Sequence, residues 1–213
     1  MKTEIAVRNV NLQGELKIPV GASVLIIFVS GGESSIVARQ NILIEKEFYK
    51  FGFATLLLRF LSDDEGKRGS VVKWDIDVLT ERLIGVTRWC IEQDTTKCLK
   101  IGYFGASVGS AVVLSAATYW GTKIGAVVSR GGRPDLVMEE LDLIEAPVML
   151  IVGGEDSEGI NMNRKAYIKI GCTKKLEIVS GATHLFEEDN AIEKVADIAK
   201  KWFGRFLLED GVK

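Results

Sequence analysis

The sequence contains very little histidine and cysteine. Its 213 residues include one histidine, His184, and three cysteines. A single imidazole excludes metal sites built from two or three histidines, including the zinc proteases that carry the HExxH motif. Three cysteines are too few, and odd in number, for a disulfide framework, which favours a reducing compartment. If the protein uses histidine chemistry, that chemistry depends on His184.

Long apolar runs and an excess of charge are also missing. The longest purely apolar run covers residues 24–29, whereas a membrane-spanning helix needs about 20 apolar residues. The N-terminal stretch alternates polar and apolar residues and lacks the apolar core of a signal peptide. The formal net charge of -2 gives no general attraction to nucleic acid or anionic membranes. We therefore expect a soluble cytoplasmic protein, a monomer or homodimer, without a nucleic-acid or membrane partner.

Short apolar runs alternate with amphipathic stretches along most of the chain. Residues 4–10 and 15–18 alternate with period two, which predicts an antiparallel pair of strands joined by a turn at residues 11–14. Later runs are short, partly β-branched and mostly bounded by Gly or Pro, and they predict buried parallel strands at 24–29, 54–58, 101–104, 124–128, 148–152 and 176–179. Helical spacing of apolar residues predicts helices between them. We predict one α/β domain over residues 1–213, with a mostly parallel central sheet of about eight strands and helices on both faces.

The segment Gly105-Ala106-Ser107-Val108-Gly109 matches the pattern G-x-S-x-G. It follows a predicted strand and precedes a helix-compatible stretch, which is the strand–turn–helix setting of a nucleophile elbow. Such a turn strains the serine backbone, and side chains at the two glycines would collide with the neighbouring strand and helix. Ser107 is therefore a candidate nucleophile, although a serine at this position is also commonly a helix N-cap.

A serine hydroxyl needs a base to remove its proton before it can attack a carbonyl effectively. His184 follows the last predicted strand and Asp156 follows the strand before it. Because ligands bind at the carboxyl ends of parallel strands, Ser107, Asp156 and His184 should meet at one edge of the sheet. Their order along the chain is one of the known orders of a catalytic triad.

Other interpretations of these residues remain open from the sequence. Asp156 could be a solvated loop acid or a helix cap, and His184 an ordinary loop residue. Glu155 and Asp135 also follow predicted strands and are rival partners for the imidazole.

These motifs resemble those of the α/β-hydrolase superfamily and, more closely, its dienelactone-hydrolase-like branch. The similarity runs from about residue 24 to residue 203 and is most telling in the segments 52–58, 75–83, 101–111, 127–134, 150–156 and 176–188. These segments resemble a group of small hydrolases, some of which occur fused to phosphoribosyltransferase domains. The resemblance implies an α/β-hydrolase fold with Ser107 as nucleophile, Asp156 as acid and His184 as base. Dienelactone hydrolases usually carry Cys at the nucleophile position, so Ser107 implies ordinary ester chemistry.

The oxyanion loop departs from the pattern of these relatives, which commonly read H-G-x-G after the third strand. This chain reads Ser30-Gly31-Gly32-Glu33 there. An oxyanion hole needs only main-chain donors, so we expect the backbone N–H groups of Val108, Gly31, Gly32 and Glu33 to form it. The Glu33 side chain either lies near the developing negative charge, which would weaken catalysis, or points to solvent.

The connection between the sixth and seventh strands indicates which substrates the site prefers. Residues 129–147 leave room for a short helix there, whereas lid domains in the superfamily are mostly inserted at this point. We expect no cap domain and a preference for small soluble substrates. Arg130 and Arg133 could attract a carboxylate or phosphate of the substrate, or Arg130 could pair with a neighbouring acid and hold its loop.

The leading interpretation is a serine hydrolase that cleaves a small carboxylic ester, lactone or thioester through an acyl-enzyme, with no metal or cofactor. Two alternatives keep the same fold. One is a non-catalytic binding module, suggested by the altered oxyanion loop. The other is an acyltransferase that uses the same triad.

Overall fold

A twisted sheet forms the centre of the protein in the computed structural model, which describes residues 1–30, 35–61, 65 and 75–208. The strands in these ranges are β1 (Lys2–Val7), β2 (Val10–Lys17), β3 (Val24–Ser30), β4 (Ala54–Arg59), β5 (Lys100–Ala106), β6 (Ile124–Arg130), β7 (Val148–Gly153) and β8 (Lys174–Val179). Their order across the sheet is β1-β2-β4-β3-β5-β6-β7-β8. The β1–β2 and β2–β4 pairs are antiparallel and the remaining pairs are parallel. The predicted eight-stranded, mostly parallel sheet is therefore confirmed.

Helices cover both faces of this sheet. The α-helices of the described ranges are α1 (Ser35–Phe51), α2 (Ile76–Glu92), α3 (Val108–Trp120), α4 (Ser157–Lys169) and α5 (Ala191–Phe203). Helices α1 and α5 pack together on one face, whereas α2, α3 and α4 lie on the other. None of the helices in the part of the chain that the structure describes is long and apolar enough to cross a membrane.

The central strands are apolar along nearly their whole length because both of their faces are covered. Strand β3 is buried from Val24 to Val29, and Phe28 packs with its ring centroid 5.1 Å from that of Phe104 on β5. Phe48 of α1 lies against both rings and also against Phe203 of α5. Burying a side chain of this size stabilises the fold by about 1.5–3 kcal/mol. This core holds the carboxyl ends of β3, β5, β6 and β7 at one edge of the sheet.

The prediction for the N-terminal hairpin was wrong in its turn. The turn lies at Arg8 and Asn9, because Val7 pairs directly with Val10, and residues 11–14 are inside β2. Gly14 fits there for a steric reason, since a Cβ on it would lie 3.1 Å from a methyl carbon of Leu56 and 3.2 Å from one of Leu58. Gly14, which the sequence pattern placed in the turn, is a strand residue whose missing side chain leaves room for the two leucines.

The connection between β6 and β7 contains irregular 3-10 helical structure at Pro134–Leu143, which is kinked at Val137. The described residues between the two strands contain no inserted domain, as predicted. The edge of the sheet above β5, β6 and β7 is therefore left without a cap from this connection.

Candidate active site

Ser107 is the single residue between β5 and α3, and its backbone conformation is strained. Its φ is 54° and its ψ is -127°, a region that residues with a side chain rarely adopt. The Ser107 N–H donates to the carbonyl of Arg130 at 3.2 Å, and the Ser107 carbonyl accepts from the N–H of Ser110 at 3.0 Å. The Ser107 side chain makes no capping hydrogen bond to the helix. Ser107 therefore occupies the N-cap position without acting as a cap, and its hydroxyl is left available at a nucleophile elbow.

The two glycines of the motif make this elbow possible. A Cβ on Gly105 would lie 2.7 Å from the carbonyl oxygen of Gly109 and 2.6 Å from a methyl carbon of Val113. A Cβ on Gly109 would lie 2.5 Å from the carbonyl oxygen of Val29 on β3. Real Cβ atoms essentially never lie this close to another heavy atom, so α3 could not pack this closely against β3 and β5 with larger residues. The steric reason predicted for both glycines is confirmed.

His184 forms a hydrogen bond with Asp156, the acid that follows β7. The distance from His184 Nδ1 to Asp156 Oδ2 is 2.8 Å. Because a carboxylate only accepts hydrogen bonds, Nδ1 is the donor, and Nε2 of the neutral ring is left to accept a proton. The carboxylate is largely buried, whereas the imidazole is 45% exposed. A catalytic triad requires the same arrangement of its acid and base.

The second oxygen of Asp156 caps α4. Asp156 Oδ1 accepts from the N–H of Gly159 at 2.9 Å, so both carboxylate oxygens are held. A Cβ on Gly159 would lie 2.2 Å from Oδ2, and a larger residue there would displace the oxygen that faces His184. Asp156 is therefore both a helix cap and the partner of the imidazole, two interpretations that the sequence left as alternatives.

Neither rival acid forms a hydrogen bond with His184 in the part of the chain that the structure describes. Asp135 forms two hydrogen bonds with the guanidinium of Arg133, at 2.9 and 2.8 Å. Glu155 is exposed, and its main-chain N–H donates to the carbonyl of Ala182 at 2.9 Å. That main-chain bond ties the loop of Asp156 to the loop of His184.

Gly131 brings the His184 loop close to the nucleophile elbow. It follows Arg130, whose carbonyl accepts the Ser107 N–H. A Cβ on Gly131 would lie 3.1 Å from the His184 carbonyl oxygen and 4.0 Å from His184 Cε1. The edge of the imidazole therefore lies against Gly131, which directly follows Arg130, the residue that Ser107 contacts. Within the described residues no hydrogen bond joins Ser107 Oγ to His184, and such contacts are often loose until substrate binds.

The predicted oxyanion donors fall partly outside the described residues. Gly31, Gly32 and Glu33 lie in the 31–34 gap. Ser30, the last residue before that gap, pairs with Ala106 immediately before Ser107. Val108 begins α3, so its N–H is among those that have no partner within the helix. The positive end of the α3 dipole also faces the elbow.

The two arginines after β6 have different environments. Arg133 is 42% exposed, and its hydrogen bonds with Asp135 raise its pKa. Arg130 is 2% exposed, and burial lowers its pKa to about 10. Arg130 Nη1 donates to Gln40 Oε1 at 2.7 Å, and the guanidinium carbon lies 5.5 Å from the centre of the Phe186 ring. The neighbour of Arg130 is thus a neutral amide, where the sequence suggested an acid.

Gln40 is a site residue that sequence reasoning missed. It is buried on α1, and its Nε2 donates to the carbonyls of Leu185 and Phe186, the two residues after His184. A signal was present, because Val37, Gln40, Ile44 and Phe48 follow at helical spacing and three of the four are apolar core residues. A polar residue on the buried stripe of a helix needs partners, and these partners are in the His184 loop.

An elbow serine after β5, an acid after β7 and a histidine after β8 on this sheet define the α/β-hydrolase class. The family model of the dienelactone hydrolase family matches residues 39–207. The chain belongs to the dienelactone hydrolase family.

Similar proteins occur among solved structures and among curated proteins. A dienelactone hydrolase from Anabaena variabilis is 40% identical, with a TM-score of 0.94 over 97% of each chain. Est1E from Butyrivibrio proteoclasticus shares the fold at 15% identity, with a TM-score of 0.81 over 98% of this chain and 99% of that one. Two Mycobacterium tuberculosis proteins, named as predicted phosphoribosyl transferases, are 39% identical over 99% of this chain and 47% of their own length. The chain thus spans about half the length of the curated relatives it matches.

Proposed function

We propose that the protein is a serine hydrolase that cleaves a small carboxylic ester, lactone or thioester through an acyl-enzyme. The observation that carries the proposal is the combination of a strained Ser107, whose side chain makes no capping hydrogen bond, with a His184–Asp156 pair after β7 and β8 of the same sheet. The proposal does not extend to the phosphoribosyl transfer named for the curated relatives, because a serine with a His–Asp pair is suited to acyl chemistry.

The geometry supports the following sequence of steps. Ser107 Oγ attacks the carbonyl carbon while His184 Nε2 takes the hydroxyl proton, and Asp156 stabilises the imidazolium that forms. The N–H of Val108 binds the tetrahedral oxyanion, and the sequence predicts further main-chain donors at residues 31–33, which lie outside the described residues. His184 then gives its proton to the leaving group, which departs and leaves the acyl group on Ser107. A water molecule, deprotonated by His184, attacks the acyl-enzyme, and the acid product and free Ser107 are released.

Two features support small substrates over long acyl chains. The β6–β7 connection contributes no cap over the site, and nearly half of the His184 side chain is exposed. An open site of this kind buries little of a long chain, so that a longer chain gains little binding energy. Arg133, the more exposed of the two arginines, is the better placed to meet an anionic group on the substrate, although Asp135 already neutralises part of its charge.

Hydrolysis of p-nitrophenyl esters of increasing acyl length tests the proposal. We expect the acetyl ester to be hydrolysed with a higher kcat/KM than the octanoyl ester, and Ser107→Ala to lose about 10³-fold or more of the activity. Ser115→Ala is the matched control, because Ser115 lies two turns further along α3 and contacts Glu140 away from the site. Wild-type activity in Ser107→Ala would refute the proposal.

A second candidate is the non-catalytic binding module. It is favoured by the separation of Ser107 Oγ from His184, since no hydrogen bond joins them in the described residues. A binding module would neither hydrolyse these esters nor react with a serine-directed probe. Acyl transfer would instead appear as a second product when an alcohol or amine is added to a reaction that does form the acyl-enzyme.

A further inference from the structure

We propose that Arg130 and Gln40 are positioning residues for His184, with Arg130 fixing the orientation of the Gln40 amide and Gln40 holding the turn that carries the imidazole. The inference rests on the proposed function in one respect, that His184 is the base. It assigns a task to a buried cation that no carboxylate of the described residues neutralises.

The turn that carries His184 needs to be held. The N–H of Phe186 donates to the carbonyl of Thr183 at 3.2 Å, which closes a tight turn with His184 as its second residue. Phe186 has a φ of 55°, a conformation that is unfavourable for a bulky side chain. A turn with such a residue persists only when its surroundings fix it.

Gln40 supplies that restraint from another part of the fold. Its Nε2 lies 2.6 Å from the Leu185 carbonyl oxygen and 3.1 Å from the Phe186 carbonyl oxygen. One amide thus uses both of its N–H groups on the two residues that follow His184. Because Gln40 is buried on α1, the contact ties the imidazole loop to a helix packed on the sheet.

Arg130 decides which way the Gln40 amide points. A guanidinium can only donate hydrogen bonds, so its 2.7 Å contact requires the amide oxygen and turns the amide N–H groups toward the His184 loop. A flipped amide would place donors against donors at Arg130 and an oxygen against two carbonyl oxygens. Stacking of the guanidinium over the Phe186 ring adds a second contact to the same turn.

Arg130 also links this turn to the nucleophile. Its main-chain carbonyl accepts the Ser107 N–H, whereas its side chain acts on the His184 turn through Gln40 and Phe186. Arg130 Nε and Nη2 are buried without a hydrogen-bond partner among the described residues. A residue kept only for packing would be apolar at this position, because a buried cation without a counter-charge destabilises the fold. The contacts of the Arg130 guanidinium with Gln40 and Phe186 explain why a cation occupies this buried position.

The single histidine makes the proposal directly measurable. Protein labelled with ¹³C at histidine Cε1 gives one NMR signal from the chain, that of His184. Gln40→Glu keeps an oxygen for Arg130 but replaces the two N–H donors by an acceptor. We expect the His184 signal to shift and broaden, and kcat for the acetyl ester to fall about 10- to 100-fold with KM within about twofold. Arg130→Met should have the same effects, and Arg130→Lys, which keeps a donor for Gln40, should partly restore both.

Glu45→Gln is the matched control on the same helix. Glu45 is buried on α1 and binds Lys17 and Thr55, away from the His184 loop. This variant should melt at a lower temperature and leave the His184 signal and kcat unchanged. The proposal is overturned if Gln40→Glu and Arg130→Met both fold and show the wild-type signal, or if Glu45→Gln changes the signal as much as they do. If Gln40→Glu does not fold, Arg130→Met decides alone.

The outcomes separate this inference from the proposed function. A wild-type protein that hydrolyses no ester removes the hydrolase proposal, and the NMR comparison still decides whether Gln40 and Arg130 hold His184. Conversely, an active enzyme whose His184 signal ignores both residues retains the hydrolase proposal and removes the positioning network.

Discussion

Substitutions at Asp156 separate two tasks that one carboxylate performs with its two oxygens. Oδ1 caps α4 through Gly159, and Oδ2 binds His184 Nδ1. Asn is as good a helix cap as Asp, so Asp156→Asn keeps the first task. Its amide N–H₂ group would then face Nδ1, which places the ring proton on Nε2 and leaves no acceptor for the Ser107 proton. Asp156→Ala loses both tasks.

The expected magnitudes differ between the two variants. Exchange of the triad carboxylate for an amide lowers kcat by about 10⁴-fold in an enzyme of this type, which corresponds to about 5.5 kcal/mol of transition-state stabilisation. Loss of the cap costs about 1 kcal/mol of folding stability, or about 2–4 °C in melting temperature for a chain of this size. Asp156→Asn should therefore be inactive and as stable as the wild type, and Asp156→Ala should be inactive and less stable.

Ester hydrolysis and thermal melting, measured on the same preparations, check these values. Glu155→Gln is the control, because it makes the same carboxylate-to-amide exchange at the adjacent exposed residue. Near-normal hydrolysis by Asp156→Asn would refute the reasoning, since the carboxylate would then have no part in orienting the imidazole. Equal melting temperatures for the Ala and Asn variants would refute the capping role alone.

Two further predictions follow from steric fit and from charge. Gly109→Ala should lower the free energy of unfolding by about 1–3 kcal/mol, and the rate of ester hydrolysis should fall with it. The new Cβ would lie 2.5 Å from the Val29 carbonyl oxygen and push α3 away from β3. An unchanged melting temperature and an unchanged rate of hydrolysis would contradict this prediction. Arg130→Met should melt at the same or a higher temperature although it lowers kcat, because burial lowers the pKa of Arg130 to about 10, which corresponds to about 3 kcal/mol against the buried cation. The unfolded chain holds that proton more tightly, so this destabilisation is fully present at pH 7 and declines only as the pH rises above about 10. A clear loss of stability in Arg130→Met at pH 7 would contradict the charge argument.

The positions of the site residues follow from sequence because a parallel sheet places the carboxyl ends of its strands together. Apolar runs located β5, β7 and β8, and the residues after them are the ones that the fold brings to one edge. The glycines of the elbow were also interpretable, since their role is local and steric. These signals depend on residues close to one another along the chain.

Other features depended on partners far away in sequence. A glycine fits at position 14 inside β2 because the side chains of Leu56 and Leu58 on β4 pack close to it, and no local pattern reveals that contact. The pairing of His184 with Asp156, and not with Asp135, depends on the turn that carries His184, 28 residues after Asp156. Gln40 contacts Leu185 of the His184 loop, which is 145 residues away in sequence. The helical pattern around Gln40 therefore indicates a buried polar group that needs a partner, but it does not identify that partner.

The central claim is that Ser107 is a nucleophile activated by His184, and a fluorophosphonate probe tests it without knowledge of the substrate. Intact mass should show one adduct per chain in the wild type and in Ser115→Ala, mapped to Ser107, and none in Ser107→Ala. His184→Ala should label about 100-fold or more slowly, because no other histidine can replace the base. An unlabelled wild-type protein, or a Ser107→Ala variant labelled at the wild-type rate, would contradict the claim.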